Sequence, residues 1–281
     1  MNRQSACLAL CLTLCPMAAV AAAEIGTVTL GEAGTRLLRG ATWYKLAPGT
    51  PVEEGDIVAS SDGTQVQIEL AAGSILAVAG AGALYLSPST KGAALAVTLP
   101  AGWLKLAAKA PGVRVRTGPF DATMTEGALV AHAQPGSAEV FVEAGNARLV
   151  ELTPAGVPEA TARDAKRGEY WARPPSGKFT TVPRAPKAFV DAMPRHFTDP
   201  LPALAGRIKS KPVLVVDHEI TFAEAEPWLA GRDRALFERR FAIRLRDPAF
   251  RKAAEPSLAR YPSWDRQLHP EKYLPKPPPV R

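Results

Sequence analysis

Polar and apolar positions alternate with period two over Thr64-Gln65-Val66-Gln67-Ile68-Glu69-Leu70, which predicts a half-buried strand. Asp62-Gly63 precedes it as a hairpin-type turn, and Ala72-Gly73-Ser74 turns the chain into a second run, Ile75-Leu76-Ala77-Val78. Gly80 and Gly82 punctuate the approach to Ala83-Leu84-Tyr85-Leu86. Further short segments fall at Leu95–Leu99, Trp103–Leu106, Val113–Arg116, Phe120–Met124, Ala128–Ala131, Ala138–Val142 and Ala147–Leu152. Strands at this spacing, with Gly or Pro between them, predict a mainly β fold of sandwich, barrel or solenoid type.

The pattern changes in the last third. Asp199-Pro200 reads as a helix cap with Pro at the first helical position, ahead of Leu201, Leu204, Ala205 and Ile208 on one face. Thr221-Phe222-Ala223-Glu224 reads as a capping box before Trp228-Leu229. Asp233 to Arg246 places Phe237, Phe241 and Leu245 at i, i+4 and i+8, and Asp247-Pro248 opens a helix carrying Phe250, Ala254 and Leu258. About four short helices are expected, packed on the β part or wrapped around it. The tail from Pro270 to Pro279 is expected to be extended.

Composition sharpens the division. Residues 24–150 hold 17 Gly, 7 Pro, 9 Lys and Arg and 11 Asp and Glu, a net charge of −2. Residues 151–281 hold 5 Gly, 19 Pro, 24 Lys and Arg and 16 Asp and Glu, a net charge of +8. The expected division is 1–23 signal peptide, 24–173 β domain, 174–187 Pro-rich linker and 188–281 basic short-helix module. Prolines from Pro174 to Pro186 favour extended backbone in the linker.

The beginning of the chain predicts export. Arg3 precedes an apolar stretch, Ala6 to Ala18, and Ala21-Ala22-Ala23 fits signal-peptidase cleavage before Glu24. Cys7, Cys11 and Cys15 all fall in that segment, so the expected mature chain has no disulfide, no thiolate metal site and no cysteine nucleophile. An uncleaved anchor, or a lipoprotein using Cys15, are the competing readings. The expected location is periplasmic, with no transmembrane span after cleavage.

Several turn signals occur in order: Arg39-Gly40, Leu46-Ala47-Pro48-Gly49-Thr50-Pro51-Val52, Glu54-Gly55-Asp56-Ile57-Val58, Asp62-Gly63-Thr64 and Ala72-Gly73-Ser74-Ile75-Leu76. In this order the chain resembles the FecR domain over about residues 26–150. In the second half Val115-Arg116-Thr117-Gly118-Pro119 and Met124-Thr125-Glu126-Gly127 depart from the family's pattern. The resemblance implies a β-solenoid-like periplasmic domain. The best-known members relay a signal from an outer-membrane transporter to a cytoplasmic sigma factor through a membrane-crossing helix. Only five residues precede the apolar segment here, so fold and compartment are carried over and the relay is not. Within the turns, Gly55, Asp56, Asp62, Gly63 and Gly73 read as structural, Asp56 as an amide-capping side chain.

No nucleophile elbow, Walker loop or zinc-protease helix is present. His218 sits in Asp217-His218-Glu219 after the apolar run Val213–Val216, but neighbours on an extended strand point to opposite faces, so a metal site is not expected. His132, His196 and His269 are isolated in sequence. Trp43, Tyr44, Trp103, Tyr170 and Trp171 are the candidate ligand-binding residues, since rings stack on sugars, set against ordinary packing. The Arg-rich stretch Arg232–Arg251 is interleaved with Asp233, Glu238 and Asp247, as in a solvated helix with internal pairs, and export argues against nucleic acid. The leading expectation is therefore a non-enzymatic envelope scaffold that binds a partner protein or a cell-envelope glycan such as peptidoglycan, without cofactor or metal. The alternatives are a periplasmic sensor acting through a membrane protein, and a glycan-acting enzyme with two carboxylates roughly 5 to 9.5 Å apart.

Overall fold

The computed structural model describes residues 24–88, 93–110, 112–153, 155–159 and 161–274. The export segment, all three cysteines and the end of the tail lie outside the described residues.

The fold is mainly β: one large mixed sheet followed by a region of short helices. The first strands are β1 (Glu24–Gly31), β2 (Arg36–Arg39), β3 (Thr42–Lys45), β4 (Pro51–Glu53), β5 (Ile57–Ser60) and β6 (Gln65–Leu70). Long strands follow: β7 (Ile75–Leu86), β8 (Leu95–Ala108), β10 (Phe120–Gln134) and β11 (Ser137–Glu151), with the short β9 (Val113–Arg116) parallel to β8. Then come β12 (Arg163–Lys166), β13 (Tyr170–Arg173), β14 (Thr180–Val182), α1 (Lys187–Ala192) and β15 (Val215–Glu219). There follow α2 (Phe222–Leu229), α3 (Arg234–Phe241), α4 (Pro248–Ala254) and α5 (Pro262–Leu268), with 3₁₀ segments between α3 and α4, between α4 and α5, and after α5.

The long strands merge pairs of segments that the sequence separates. Gly80 and Gly82 lie inside β7, Gly102 inside β8, Gly127 inside β10 and Gly145 inside β11. They bend strands rather than end them, because register slips at these points in both the β7–β8 and β10–β11 ladders. Each half of a bent strand pairs with different neighbours. The first half of β7 pairs with β6 and its second half with β5; β8 pairs with β10 along one half and with β9 along the other. The sheet thus folds over on itself, and Leu76, Val78, Leu84, Leu104, Leu106, Phe120, Leu129, Val140 and Trp171 fill the space between.

Both outer faces are covered as well, which explains why β7 is apolar at nearly every position. On one side, α2 to α5 press Phe222, Trp228, Phe237, Phe241, Phe250 and Trp264 onto Leu38, Trp43, Ile57 and Tyr85. On the other, Phe189, Phe197 and Leu201 cover Ile75, Ala77, Ala79, Trp103 and Val130. For this reason β6 is not half-buried as its alternation predicts: Gln65 and Gln67 are buried along with Val66 and Ile68.

The region after residue 173 differs from expectation in several places. The linker contains β14, which pairs with β13, and Phe179 packs against Phe120 and Trp171. No α-helix follows Asp199-Pro200. Only the 3₁₀ turn Ala205–Arg207 forms, because Pro202 steers Leu201 away from the helical conformation and the amides of Leu204 and Ala205 are taken by the Glu69 carboxylate. The helix expected from Asp233 to Arg246 ends at Phe241 and tightens into a 3₁₀ segment, Ala242–Arg246. Pro270–Tyr273 is 3₁₀ rather than extended. The arginines of this stretch are not simply solvated: Arg240 donates to the carbonyls of Leu38, Gly40 and Gly55, and Arg232 reaches Asp121 at 2.8 Å.

Candidate interaction edge

The apolar run Val213–Val216 is β-branched at three of four positions, and Pro212 ahead of it donates no amide. These properties suit an edge strand, and β15 is one. It pairs antiparallel with β3, ends the strand order and, among the described residues, has no strand on its other side. Leu214 packs towards the core between the sheet layers, whereas Val213, Val215 and Val216 are 88%, 57% and 59% exposed.

The polar end of β15 is locked. Register slips between Val216 and His218, leaving Asp217 as an extra residue. Such a bulge re-aims side chains, and it overturns the expectation that Asp217 and His218 point apart. His218 Nδ1 lies 3.1 Å from Asp217 Oδ2, while Nε2 meets the Glu224 carboxylate at 3.0 and 3.1 Å. Glu224 is the third residue of a complete capping box at the start of α2: its amide donates to Thr221 Oγ1 and its carboxylate accepts from the Thr221 amide. Burial alone would raise the Glu224 carboxyl, but the Thr221 amide and hydroxyl and the His218 ring bring it below the usual carboxylate range.

Arg36 completes the cluster from β2, 3.2 Å from Glu224 Oε1 and 4.7 Å above the Trp43 ring. Thr42 donates to Glu219 at 2.8 Å. Both His218 nitrogens face carboxylates and a guanidinium sits among them. Among the described residues, no group of three or more His, Cys, Asp or Glu is arranged to hold a metal. The cluster is a satisfied latch that fixes β15 to β3 and α2. The strand edge beside it presents main-chain groups and three valines to solvent.

The five nominated aromatic residues do not line one groove. Trp43 is buried under α2–α5 and Tyr44, next to it on β3, is half-buried against the inner core. Trp103 and Tyr170 meet on the opposite outer face: Trp103 stacks on His132 with centroids 4.1 Å apart, His132 contacts Glu139 at 2.8 Å, and the Tyr170 hydroxyl donates to Glu139. Burial and then the Glu139 bond push the Tyr170 hydroxyl up, and the His132 contact holds the Glu139 carboxyl below its ordinary range against burial. Trp171 lies in the inner core, its ring nitrogen 3.2 Å from Glu169.

Of the turn residues, Asp56 is only 2% exposed; it accepts from the Glu53 amide at 2.8 Å and from Arg39 at 2.7 and 3.0 Å. Asp62 accepts from the Gly63 amide on the surface, and Gly55 and Gly73 occupy the turns after β4 and β6. Of the surface clefts, one of about 350 Å³ is lined by Glu151, Glu159, Arg163, Arg173, Lys178 and Phe179, where the charges pair with one another. The exposed valines of β15 were visible in the sequence as an apolar run. Their exposure was not, since it depends on where β15 docks.

No family model matches this chain, and no curated protein does. Among solved structures, two crystal structures described as a "putative anti-sigma factor" from Parabacteroides distasonis ATCC 8503, at 1.65 and 2.50 Å resolution, are distantly similar. Their TM-scores are 0.39 and 0.40, with 12% identity in both, covering 46% and 48% of this chain. The chain spans 59% and 64% of theirs, and a likeness of this size assigns no activity.

Proposed function

We propose that this chain is an exported, FecR-like, non-catalytic scaffold of the cell envelope, and that it holds a partner protein by strand addition at β15. The observation that carries the reading is the unpaired outer edge of β15, with Val215 and Val216 exposed on the strand and Val213 exposed just ahead of it. Native edges are usually blunted by charge, proline, a bulge or a covering segment; Pro212 and the bulged Asp217-His218-Glu219 blunt the two ends here, and the apolar stretch left open between them suits main-chain pairing with another chain. A protein partner is favoured over a glycan because four of the five nominated rings are buried in packed clusters. Export and the FecR-like character rest on the sequence pattern.

The test is a pull-down with the mature chain, run in parallel against envelope proteins and isolated sacculi, and repeated with Val213→Lys/Val215→Lys. The valines are exposed, so the double variant should keep its stability within about 0.5 kcal/mol per site. A specific partner retained by the wild type and lost by the variant is the expected result. Retention of neither partner nor sacculus above background would sink the proposal, and sacculus retention indifferent to the variant would replace it with the glycan reading.

A further inference from the structure

The outer face of β6, β7, β8 and β10 carries the segment 186–205, which holds α1 and the 3₁₀ turns Arg195–Phe197 and, at its end, the start of Ala205–Arg207. Three of the sheet's polar side chains there, Lys105, Gln67 and Glu69, contact the main chain of that segment. Lys105 Nζ donates to the Phe197 carbonyl at 2.6 Å, and Gln67 Nε2 donates to the Pro202 carbonyl at 2.9 Å. Glu69 Oε1 accepts from the amides of Leu204 and Ala205. Side chains enter only as apolar anchors: Phe189, Phe197 and Leu201 are buried against Ile75, Ala77, Trp103 and Val130, while Arg195, Thr198, Asp199, Pro200 and Pro202 stay exposed. This division of labour is that of peptide recognition, in which main-chain bonds supply affinity and pockets supply selectivity.

The groove is built to face a backbone. Lys105 is 2% exposed, and its charge is met at 2.8 Å by Glu143, the extra residue of a bulge in β11. Its remaining partner is the Phe197 carbonyl, and Gln67 depends likewise on Thr29 and Pro202. Stripped of any covering chain, this face would expose its apolar floor and lose those partners.

We propose that this face is a peptide-recognition groove and that 186–205 is its built-in occupant, in competition with a proline-containing segment of a partner protein. That segment presents apolar side chains at the spacing of Phe189, Phe197 and Leu201. The proposal is independent of strand addition at β15, because none of its contacts involves β15 or β3.

The experiment uses the full chain and a fluorescein-labelled synthetic peptide of residues 186–205, with binding read by anisotropy. In the wild type the tethered segment competes at an effective concentration on the order of millimolar, so the peptide binds weakly. Phe197→Ser/Leu201→Ser empties two pockets and is expected to bind the peptide at least about tenfold tighter, and adding Lys105→Met should abolish the gain. No gain in a double variant that keeps its far-ultraviolet circular dichroism, or equal binding of a scrambled peptide, overturns the proposal. Hydrogen exchange on the wild type gives a second reading that needs no variant: the Leu204 and Ala205 amides should exchange well ahead of those of β10 and β11. Protection equal to the central strands would mean the segment never leaves, and the proposal would fail.

Discussion

Gly82 and Gly102 meet across the β7–β8 ladder so closely that a Cβ on Gly102 would stand 2.4 Å from the Gly82 Cα. Gly102 also has φ of +98°, a conformation that side chains resist. Gly102→Ala is therefore expected to cost about 3 kcal/mol or more, since clash and backbone strain act together. Gly63→Ala is the control: φ is +70° but nothing lies within 4 Å, so strain alone should cost about 1 kcal/mol. Urea denaturation of the two variants separates them, and similar losses would show that the bend tolerates a side chain.

Arg240 is the fastening between α3 and the sheet. One half-buried guanidinium serves three carbonyls, those of Leu38, Gly40 and Gly55, and desolvation pulls its pKa down from the ordinary arginine value. Arg240→Lys keeps the charge but not the planar fork, so about 2 kcal/mol or more should be lost despite the conservative change. A calorimetric Tm unchanged by this substitution would show that the fork is dispensable.

Asp56 and Asp62 each accept a backbone amide in a turn, from Glu53 and Gly63 respectively, and burial should separate them. Removing Asp56 strips Arg39 and the Glu53 amide of an acceptor in a buried corner, so Asp56→Ala should cost about 2–3 kcal/mol. Asp62 is exposed, and Asp62→Ala should stay within about 1 kcal/mol. Chemical denaturation of the pair checks the contrast.

The His132–Glu139–Tyr170 chain predicts a pH dependence at both ends. Glu139 is lowered from its ordinary 4.5, so the stability it contributes is complete above that pH and drains as the pH falls through the folded value. Tyr170 is raised from 10.0, so its contribution is complete below pH 10 and is lost as the pH climbs beyond it. The gap between the wild type and Glu139→Gln should therefore narrow in acid, and the gap to Tyr170→Phe should narrow in alkali. Stability curves from pH 3 to 11 would show gaps that do not move if the chain of contacts is absent.

Local signals carried much of the secondary structure. The capping box at Thr221-Glu224 and the cap Asp247-Pro248 open α2 and α4 where the sequence places them, and strands lie under the alternating runs. What local pattern does not contain is the third dimension of the glycines: Gly80, Gly102, Gly127 and Gly145 read as turns and act as bends, since only the partner strand decides whether a ladder continues. The same limit applies to the site. His218 and Asp217 point together because of a bulge set by pairing with β3, and Glu224 joins them from a helix that docks by tertiary packing. Gln67 and Lys105 look like surface positions in a strand, and become buried only because residues almost a hundred or more positions away lie over them.

The order in which the covering helices arise has a consequence for biogenesis. Leu38, Trp43, Ile57 and Tyr85 are made early, yet their covering side chains arrive only with Phe222 through Trp264. During vectorial synthesis the growing chain therefore carries a greasy, uncapped sheet surface for most of its production. Pairings of such long sequence separation close slowly, so a holding chaperone that shields this surface until the final helices emerge would raise the yield of native protein more than one that acts on the completed chain.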